Sequence, residues 1–486
     1  MEPTALRSAA GWLAVAVGLA AAAGWSGLAI RFAQGVRGAP SLSATGDPAA
    51  TGPGPRPSVT AVVPVRNEEA NIAECLSCLA SQADLEEAFV VDDGSTDGTR
   101  GEVERFAASG PPGHSLPVVL LGGEGEAGFG GKPLACQAGA DVATGEWLLF
   151  VDADTRLSPG ALSSALALAG EKGLDALSAV GEIRCPRLWD RLGTPFVFAL
   201  LNALFRMSDV NDPESDGAYF YGSFVLIRRE RYAAIGGHAS VAGELVEDKA
   251  LGGVAKRAGL RIAVARAPGL ISAEWAPGLR GWVRALQRVV TPTMRGVPGL
   301  SLAFCVAMSL LILAPPLLIL AGPSPLSLAL GVLSFLAAAL LTGLAAGLIG
   351  ARRLYSVLYI VPAAVVAGVL WVSLLKAWRG GTIEWRGRAV KLAPPRPEPV
   401  ARNSALRGTM PASREARRSG DVKPRATARL RPPLAQEARG AEFGVAPALS
   451  PAGIHPVREV VRSRRPSPGR MTRMRFPKVR ASLDSR

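Results

Sequence analysis

Apolar positions along this chain fall into two regimes: long continuous runs, and short runs of strand length that alternate with helical periods. Residues 9–30, 300–321, 326–349 and 354–378 form long runs, each near the ~20 residues that carry a helix across a bilayer. Between the first two, residues 59–65 (VTAVVPV), 88–91, 118–121 and 147–151 (WLLFV) read as strands. Helical patterns run to about Ser81, begin again after Thr99, and extend from Lys132 through Ala143. The run 147–151 has no polar position, as expected of a strand covered on both faces in a largely parallel sheet. This alternation predicts a doubly wound α/β sheet, with ligands at the C-terminal ends of its strands. Further on, 217–228 reads as a strand, 229–235 as a short helix and 244–259 as an amphipathic helix.

The same pattern divides the chain. It predicts an N-terminal membrane anchor over 1–32, a Pro-, Gly-, Ser- and Thr-rich flexible linker over 33–57, and a globular α/β domain over 58–292. Membrane helices follow over 300–378, then a basic juxtamembrane segment over 379–393. The tail, 394–486, has too few large apolar residues to fold and is expected to be disordered. The length of the first run, with Arg31 and Arg37 after it, argues for a retained anchor rather than a cleaved signal, its downstream side cytoplasmic.

Composition changes this picture in two respects. A hydrophobic fraction of 49% fits membrane segments beside a globular part. The net charge of +14 suggests nucleic acid at first sight, but 21 of the 54 Lys and Arg and only 7 of the 40 Asp and Glu lie in 394–486. The excess belongs to the tail, so the globular part is expected to have no nucleic-acid partner. Five cysteines (75, 78, 136, 185 and 305) at unrelated spacings read as thiols rather than a disulfide framework, and three scattered histidines make no sequence-local metal site.

The candidate chemistry lies where strands end. Trp147 to Val151 runs into Asp152-Ala-Asp154, two carboxylates able to hold a divalent cation against a diphosphate, although Asp and Thr also serve in an ordinary turn. Asp92-Asp93-Gly-Ser follows the second strand and suits a base or ribose, or simply a tight turn. Lys132 follows a loop rich in glycine, where backbone can approach phosphate and an ammonium can neutralise it. Glu247-Asp248 heads the amphipathic helix and reads either as a solvated charged face or as the carboxylate that takes a proton from an acceptor hydroxyl.

Together, VVPVRNEE, VVDDGSTDGT, GKPLACQAGADVATGEWLLFVDADT and the GGH…VED segment resemble the family 2 glycosyltransferases, over roughly residues 59–290. The resemblance implies a GT-A type nucleotide-sugar fold in which Pro64, Arg66, Glu68, Asp92, Lys132 and Asp152 help bind the nucleotide sugar. It further implies that Asp152 and Asp154 bind Mn2+ or Mg2+ and that Asp248 is the general base. The GGH and ED spacing, the flanking membrane segments and Glu384-Trp-Arg-Gly-Arg388 look like bacterial carotenoid, hopanoid and lipid glycosyltransferases, and like ceramide glucosyltransferases. Processive members carry Gln-x-x-Arg-Trp, whereas this chain has Gln287-Arg-Val-Val-Thr291, so a single transfer is expected. Trp282 and Arg284 are left either as acceptor or phosphate contacts or as interfacial anchors.

The expectation is a multi-pass cell-membrane enzyme with a cytoplasmic catalytic domain, moving one sugar from a nucleotide-sugar donor to a lipid acceptor with inversion. A prenyl-phosphate sugar synthase and an inactive transferase-like binding protein are the rival readings. One conflict stays open. Arg352-Arg353 belongs in the cytoplasm, yet a third C-terminal crossing then carries Lys376, Arg379, Arg386 and Arg388 outside, against the positive-inside rule, so either Pro315-Pro316 or Pro362 marks a segment that does not fully cross or the number of spans differs.

Overall fold

Every residue of strand β1 (Val59–Val65) is buried, as is every residue of β4 (Trp147–Val151), which is what continuous apolar runs produce when helices cover both faces of a sheet. The computed structural model describes residues 3–43, 57–109, 116–122, 131–294, 298–379, 382–385 and 388–391. In chain order, α1 (Pro3–Arg37) precedes β1, α2 (Ile72–Ala80), β2 (Leu85–Asp92), α3 (Thr99–Ser109), β3 (Val118–Leu121), α4 (Lys132–Val142) and β4. Next come β5 (Arg156–Leu157), α5 (Ala161–Glu171), β6 (Ala176–Val180), β7 (Glu182–Ile183), α6 (Leu188–Leu204) and α7 (Met207–Asn211). The globular part closes with β8 (Phe224–Arg228), α8 (Arg229–Ala234), α9 (Glu247–Arg257), β9 (Ile262–Arg266), β10 (Ile271–Ala273) and α10 (Gly278–Thr293). After it come α11 (Pro298–Ala321), α12 (Pro325–Leu348), a 3-10 turn (Arg353–Leu358), α13 (Ile360–Arg379) and the hairpin β11 (Thr382–Trp385) and β12 (Arg388–Lys391).

The main sheet has the order β3-β2-β1-β4-β8-β6-β9 and is parallel except for β8. This is the mixed, largely parallel α/β sheet that the alternation of strands and helices predicts. The antiparallel β8 matters for function because its first residue, Phe224, pairs with Val151, the last residue of β4. Residues just before β8 therefore arrive at the edge where Asp152 leaves β4. A small second sheet, β5-β10-β7, backs the Asp152–Asp154 loop. Gly181 joins β6 to β7 where a Cβ would stand 1.9 Å from the Ile271 carbonyl oxygen, so no other residue fits that crossing.

Several boundaries differ from the sequence reading, each for a local reason. The strand expected over 217–228 begins only at Phe224, because upstream backbone donors go to side chains: Tyr221 N–H to Ser178 Oγ at 2.7 Å and Gly222 N–H to Asp248 Oδ2 at 3.1 Å. The helix expected from 244 starts at Glu247. The linker expected over 33–57 begins later, since α1 continues to Arg37 and Leu42 N–H then donates to Arg266 O at 2.7 Å beside β9. Residues 44–56 of that linker, most of the glycine-rich loop and the tail lie outside the described residues. All five cysteines are free thiols, with Cys75, Cys136 and Cys305 buried.

Among the described residues four helices, one N-terminal and three C-terminal, are long and apolar enough to cross a membrane. Close approach comes from glycine: Gly18 of α1 packs on Leu330 and Leu318, and Gly24 on Leu311. Trp25, fully buried, donates from Nε1 to Leu311 O at 2.9 Å, and its ring lies tilted to Phe196 (6.2 Å) and edge-on to Tyr359 (5.9 Å). The outward faces carry Leu310, Leu317, Leu320, Leu333, Leu336 and Leu340, all exposed, a surface suited to lipid. Helix α6 packs against α1, α10 and α12, coupling the sheet domain to this bundle.

Candidate active site

The C-terminal ends of β1, β2 and β4 open onto a cleft of about 340 Å³. One wall is Pro64, Arg66, Asp93, Lys132, Asp152 and Asp154; the other is Glu274, Trp275, Arg284 and Arg288, from the segment around the start of α10 and from α10 itself. A small pocket of about 10 Å³, enough for roughly one water, adjoins it and is lined by His238, Glu247, Asp248 and Gly222. Pro64, Lys132 and Asp152 line both, so the nucleotide-side and base-side candidates meet at these three residues.

Lys132 is the hub. It is the first residue of α4, after Gly131 at φ 129°, and its Nζ lies 2.7 Å from Asp152 Oδ1 and 3.1 Å from Glu247 Oε1. Burial alone would favour the neutral amine, but the two carboxylates outweigh it and keep the ammonium charged. Glu247 and Asp248, adjacent in sequence, are driven apart. Burial pushes both carboxyls up; for Glu247 this is overcome by Lys132 and Arg288, which hold it below the usual range. For Asp248, burial and then the charge of Glu247 prevail, lifting it to about 6. Its two oxygens accept from Gly222 N–H (3.1 Å) and Lys249 N–H (2.7 Å). A carboxylate tuned toward neutrality beside a charged one is the environment of a general base.

The loops are tied to one another through Asp93. Arg66 Nη1 donates to its carbonyl at 2.6 Å and pairs with its carboxylate at 3.9 Å, while Gly131 N–H donates to Asp93 Oδ1 at 3.2 Å. Asp92 and Glu68 stay out of the cleft lining. Asp92 Oδ1 accepts from Ser95 N–H (2.8 Å) and Ser95 Oγ (2.7 Å) within its own turn. Buried Glu68 accepts from Asn71 Nδ2 at 3.0 Å. Both build loops here. The other candidates, Pro64, Arg66, Lys132, Asp152, Asp154 and Asp248, are brought together.

Of the opposite wall, sequence reasoning named only Arg284 and missed Glu274, Trp275 and Arg288. Arg280, Arg284 and Arg288 recur every four residues on α10, a stripe that was legible in the sequence and is the signal for a cationic face. Trp282 faces the other way: it is fully buried, edge-on to Trp189 (5.5 Å, 87°) with Gly193 beneath its ring, and is neither an exposed acceptor contact nor an interfacial anchor. His238 is a packing residue. Its Nδ1 lies 2.8 Å from Tyr232 Oη, its ring meets Phe150 edge-on at 4.7 Å, and burial lowers it to about 4, so it stays neutral.

Among the described residues no three His, Cys, Asp or Glu side chains converge on one point. The two carboxylates of Asp152 and Asp154 still fit Mg2+ or Mn2+, because such ions are commonly held by one or two carboxylates with the rest of the shell from substrate phosphates and water. Two results are expected from this geometry. A Cβ on Gly222 would stand 3.0 Å from Asp248 Oδ2 and 3.1 Å from Lys132 Nζ, so Gly222→Ala should lower kcat at least about tenfold with thermal stability little changed. A base at Asp248 would act only when deprotonated, so transfer to a hydroxyl should then fall as pH drops through about 6, which a pH profile of kcat/KM checks.

The cleft at the strand ends of this sheet, with paired carboxylates, a buried lysine and a raised aspartate beside helices long and apolar enough to cross a membrane, is the candidate active site. Residues 60–236 match the model of glycosyl transferase family 2. The chain is 31% identical over 199 residues to the 4,4'-diaponeurosporenoate glycosyltransferase of Staphylococcus aureus strain bovine RF122 / ET3-1, which covers 40% of this chain and 50% of that protein. The protein of the same name from strain USA300 is 30% identical over the same length. The chain thus spans about half the length of the curated relatives it matches. Among solved structures, the mannosyltransferase PcManGT of Pyrobaculum calidifontis with GDP-Man and Mn2+ is 22% identical with a TM-score of 0.44, covering 75% of this chain and 99% of its own. Residues 1–349 of S. aureus TarS with UDP-GlcNAc are 18% identical with a TM-score of 0.34, covering 69% of this chain and 96% of the other.

Proposed function

We propose that this protein is a membrane-bound, metal-dependent, inverting glycosyltransferase that moves one sugar from a nucleotide-sugar donor to a lipid acceptor. The observation that carries the reading is the junction at Lys132, where the cleft of Asp152 and Asp154 opens into the pocket of Asp248. Pro64 and Arg66 line the nucleotide end, and Asp92 and Glu68 hold the loops behind it. Asp152 and Asp154 would hold Mn2+ or Mg2+, which supplies charge neutralisation for the leaving diphosphate. Lys132, now paired with Asp152, is within reach to contribute its charge to the same phosphates. Asp248 takes the proton of the acceptor hydroxyl. The freed oxygen bonds to the anomeric carbon as the bond to the diphosphate oxygen breaks, and that electron pair leaves with the nucleotide. A single displacement inverts the anomeric centre; a carboxyl acceptor would arrive already ionised and need no base.

The lipid acceptor is supported by the apolar helices beside the cleft and by the name of the curated relatives, whose acceptor class, a carotenoid, we extend to this chain alongside hopanoids and glycolipids. Arg31, Arg37, Arg352 and Arg353 favour a cytoplasmic catalytic side in the cell membrane. Lipid profiling of a deletion strain tests the reading. One glycosylated lipid should disappear, return with the wild-type gene and stay absent with Asp152→Ala; an unchanged profile contradicts it.

A further inference from the structure

The last apolar helix answers to two opposed requirements. Its 20 residues are enough to cross a bilayer, yet crossing would separate Lys376 and Arg379 from Arg31, Arg37, Arg352 and Arg353. The packing resolves the conflict. Helices α1 and α12 run side by side, with Gly18 against Leu330 toward the outer end. Helix α12 finishes on the catalytic domain, where Ile183 N–H donates to Ile349 O at 3.0 Å and Gly350 lies against Glu182. From there the chain turns back along α12: Arg353 sits against Gly347, Ser356 close to Gly343, and the Tyr359 ring 5.2 Å from Phe335. It climbs no further. Helix α13 then keeps to the first half of α11, the half next to the catalytic domain, with Cys305 Sγ donating to Leu370 O at 3.8 Å and Trp371 Nε1 to Ser309 Oγ at 3.0 Å. Its end returns to the cleft wall. Lys376 Nζ donates to Gln287 Oε1 of α10 at 3.1 Å, and the backbone of β11 runs beside α10.

We propose that α13 is a non-crossing arm that enters the apolar layer from the catalytic side, returns to that side, and seats Lys376 on Gln287 to hold α10 in place. The chain then crosses the membrane three times, and its basic C-terminal part leaves on the same side as the catalytic domain. All the charges named above fall on one side without a penalty. Lys376 is a positioning residue: its partner Gln287 does not line the cleft, but the contact fixes the helix whose Arg284 and Arg288 do. Gln287, which stands at the first position of the processive motif, is engaged with the arm instead.

Reporter fusions in a bacterial host test the path of the chain without any need for turnover. With the full chain, green fluorescent protein after Arg486 should fluoresce and alkaline phosphatase there should be inactive, while the same reporters inserted in the 322–325 loop should give the reverse. An active phosphatase at both places overturns the arm. The clamp rests on the transferase reading and is tested by binding of labelled UDP-glucose and GDP-mannose with Mn2+ to the purified full chain. Lys376→Ala should weaken the tighter of the two about tenfold, and Lys376→Arg, which still donates to Gln287, should restore it. Equal affinity in the Ala variant and wild type overturns the clamp. Binding of neither sugar nucleotide by wild type, with the expected reporter pattern, overturns the clamp and the donor reading and leaves the arm standing.

Discussion

Asp154→Ala is expected to lower sugar transfer by about three orders of magnitude or more while the protein still inserts and folds. Asp154 follows β4 by three residues and lines the cleft beside Asp152, whose own carboxylate is already engaged by Lys132 at 2.7 Å. Removing Asp154 would take away one carboxylate of the proposed cation site, and with it the charge neutralisation that a cation there would supply to the departing diphosphate. Little stability should be lost, because the side chain is only half-buried and lines the cleft. Membrane-reconstituted wild type and variant, assayed across a Mn2+ and Mg2+ series, separate the possibilities. A variant as active as wild type, or wild type indifferent to excess chelator, would remove metal from the reaction.

Asp248→Asn should cost transfer to a hydroxyl on the order of 10²-fold or more, with donor affinity almost unchanged. The amide keeps the size of the carboxylate but cannot take a proton at neutral pH. The side-chain oxygen can still accept from Gly222 N–H, while the bond from Lys249 N–H, which would face the amide NH2, is lost. The pH dependence separates this loss from a packing defect: the acid limb expected near 6 should vanish in the residual activity of the Asn variant. If transfer to a hydroxyl survives intact, Glu247 is a weak substitute, since Lys132 holds it ionised and engaged at 3.1 Å. A binding protein on a transferase scaffold would show no difference between the two proteins, having no turnover to lose.

What could be read from the sequence follows from what is local. Strands β1 and β4 were legible because their apolar runs are unbroken, and Asp152 and Asp154 because they directly follow such a run. The four apolar helices were legible by length. The meeting of Lys132 with Glu247 was not, because it joins residues far apart in the chain through the antiparallel strand β8 and the start of α9. The loop before β8 was misread as strand for the same reason: its donors are claimed by Ser178 and Asp248, partners that only the tertiary fold supplies. Asp92 and Asp93 looked equivalent in sequence, yet the turn closes on Asp92 and leaves Asp93 to join three loops. The path of α13 was out of reach by length and hydropathy, since an arm and a span of 20 residues have the same composition.

The most direct test of the central claim is transfer itself. Purified full-length protein in liposomes, supplied with Mn2+, labelled UDP-glucose or GDP-mannose and lipid extract from the native membrane, should move label into the organic phase. The glycosidic bond formed should have the anomeric configuration opposite to that of the donor, and Asp154→Ala should form almost none of it. Label that stays in the aqueous phase with every donor and lipid fraction, while the sugar nucleotide still binds, would contradict the account and leave a binding protein in its place.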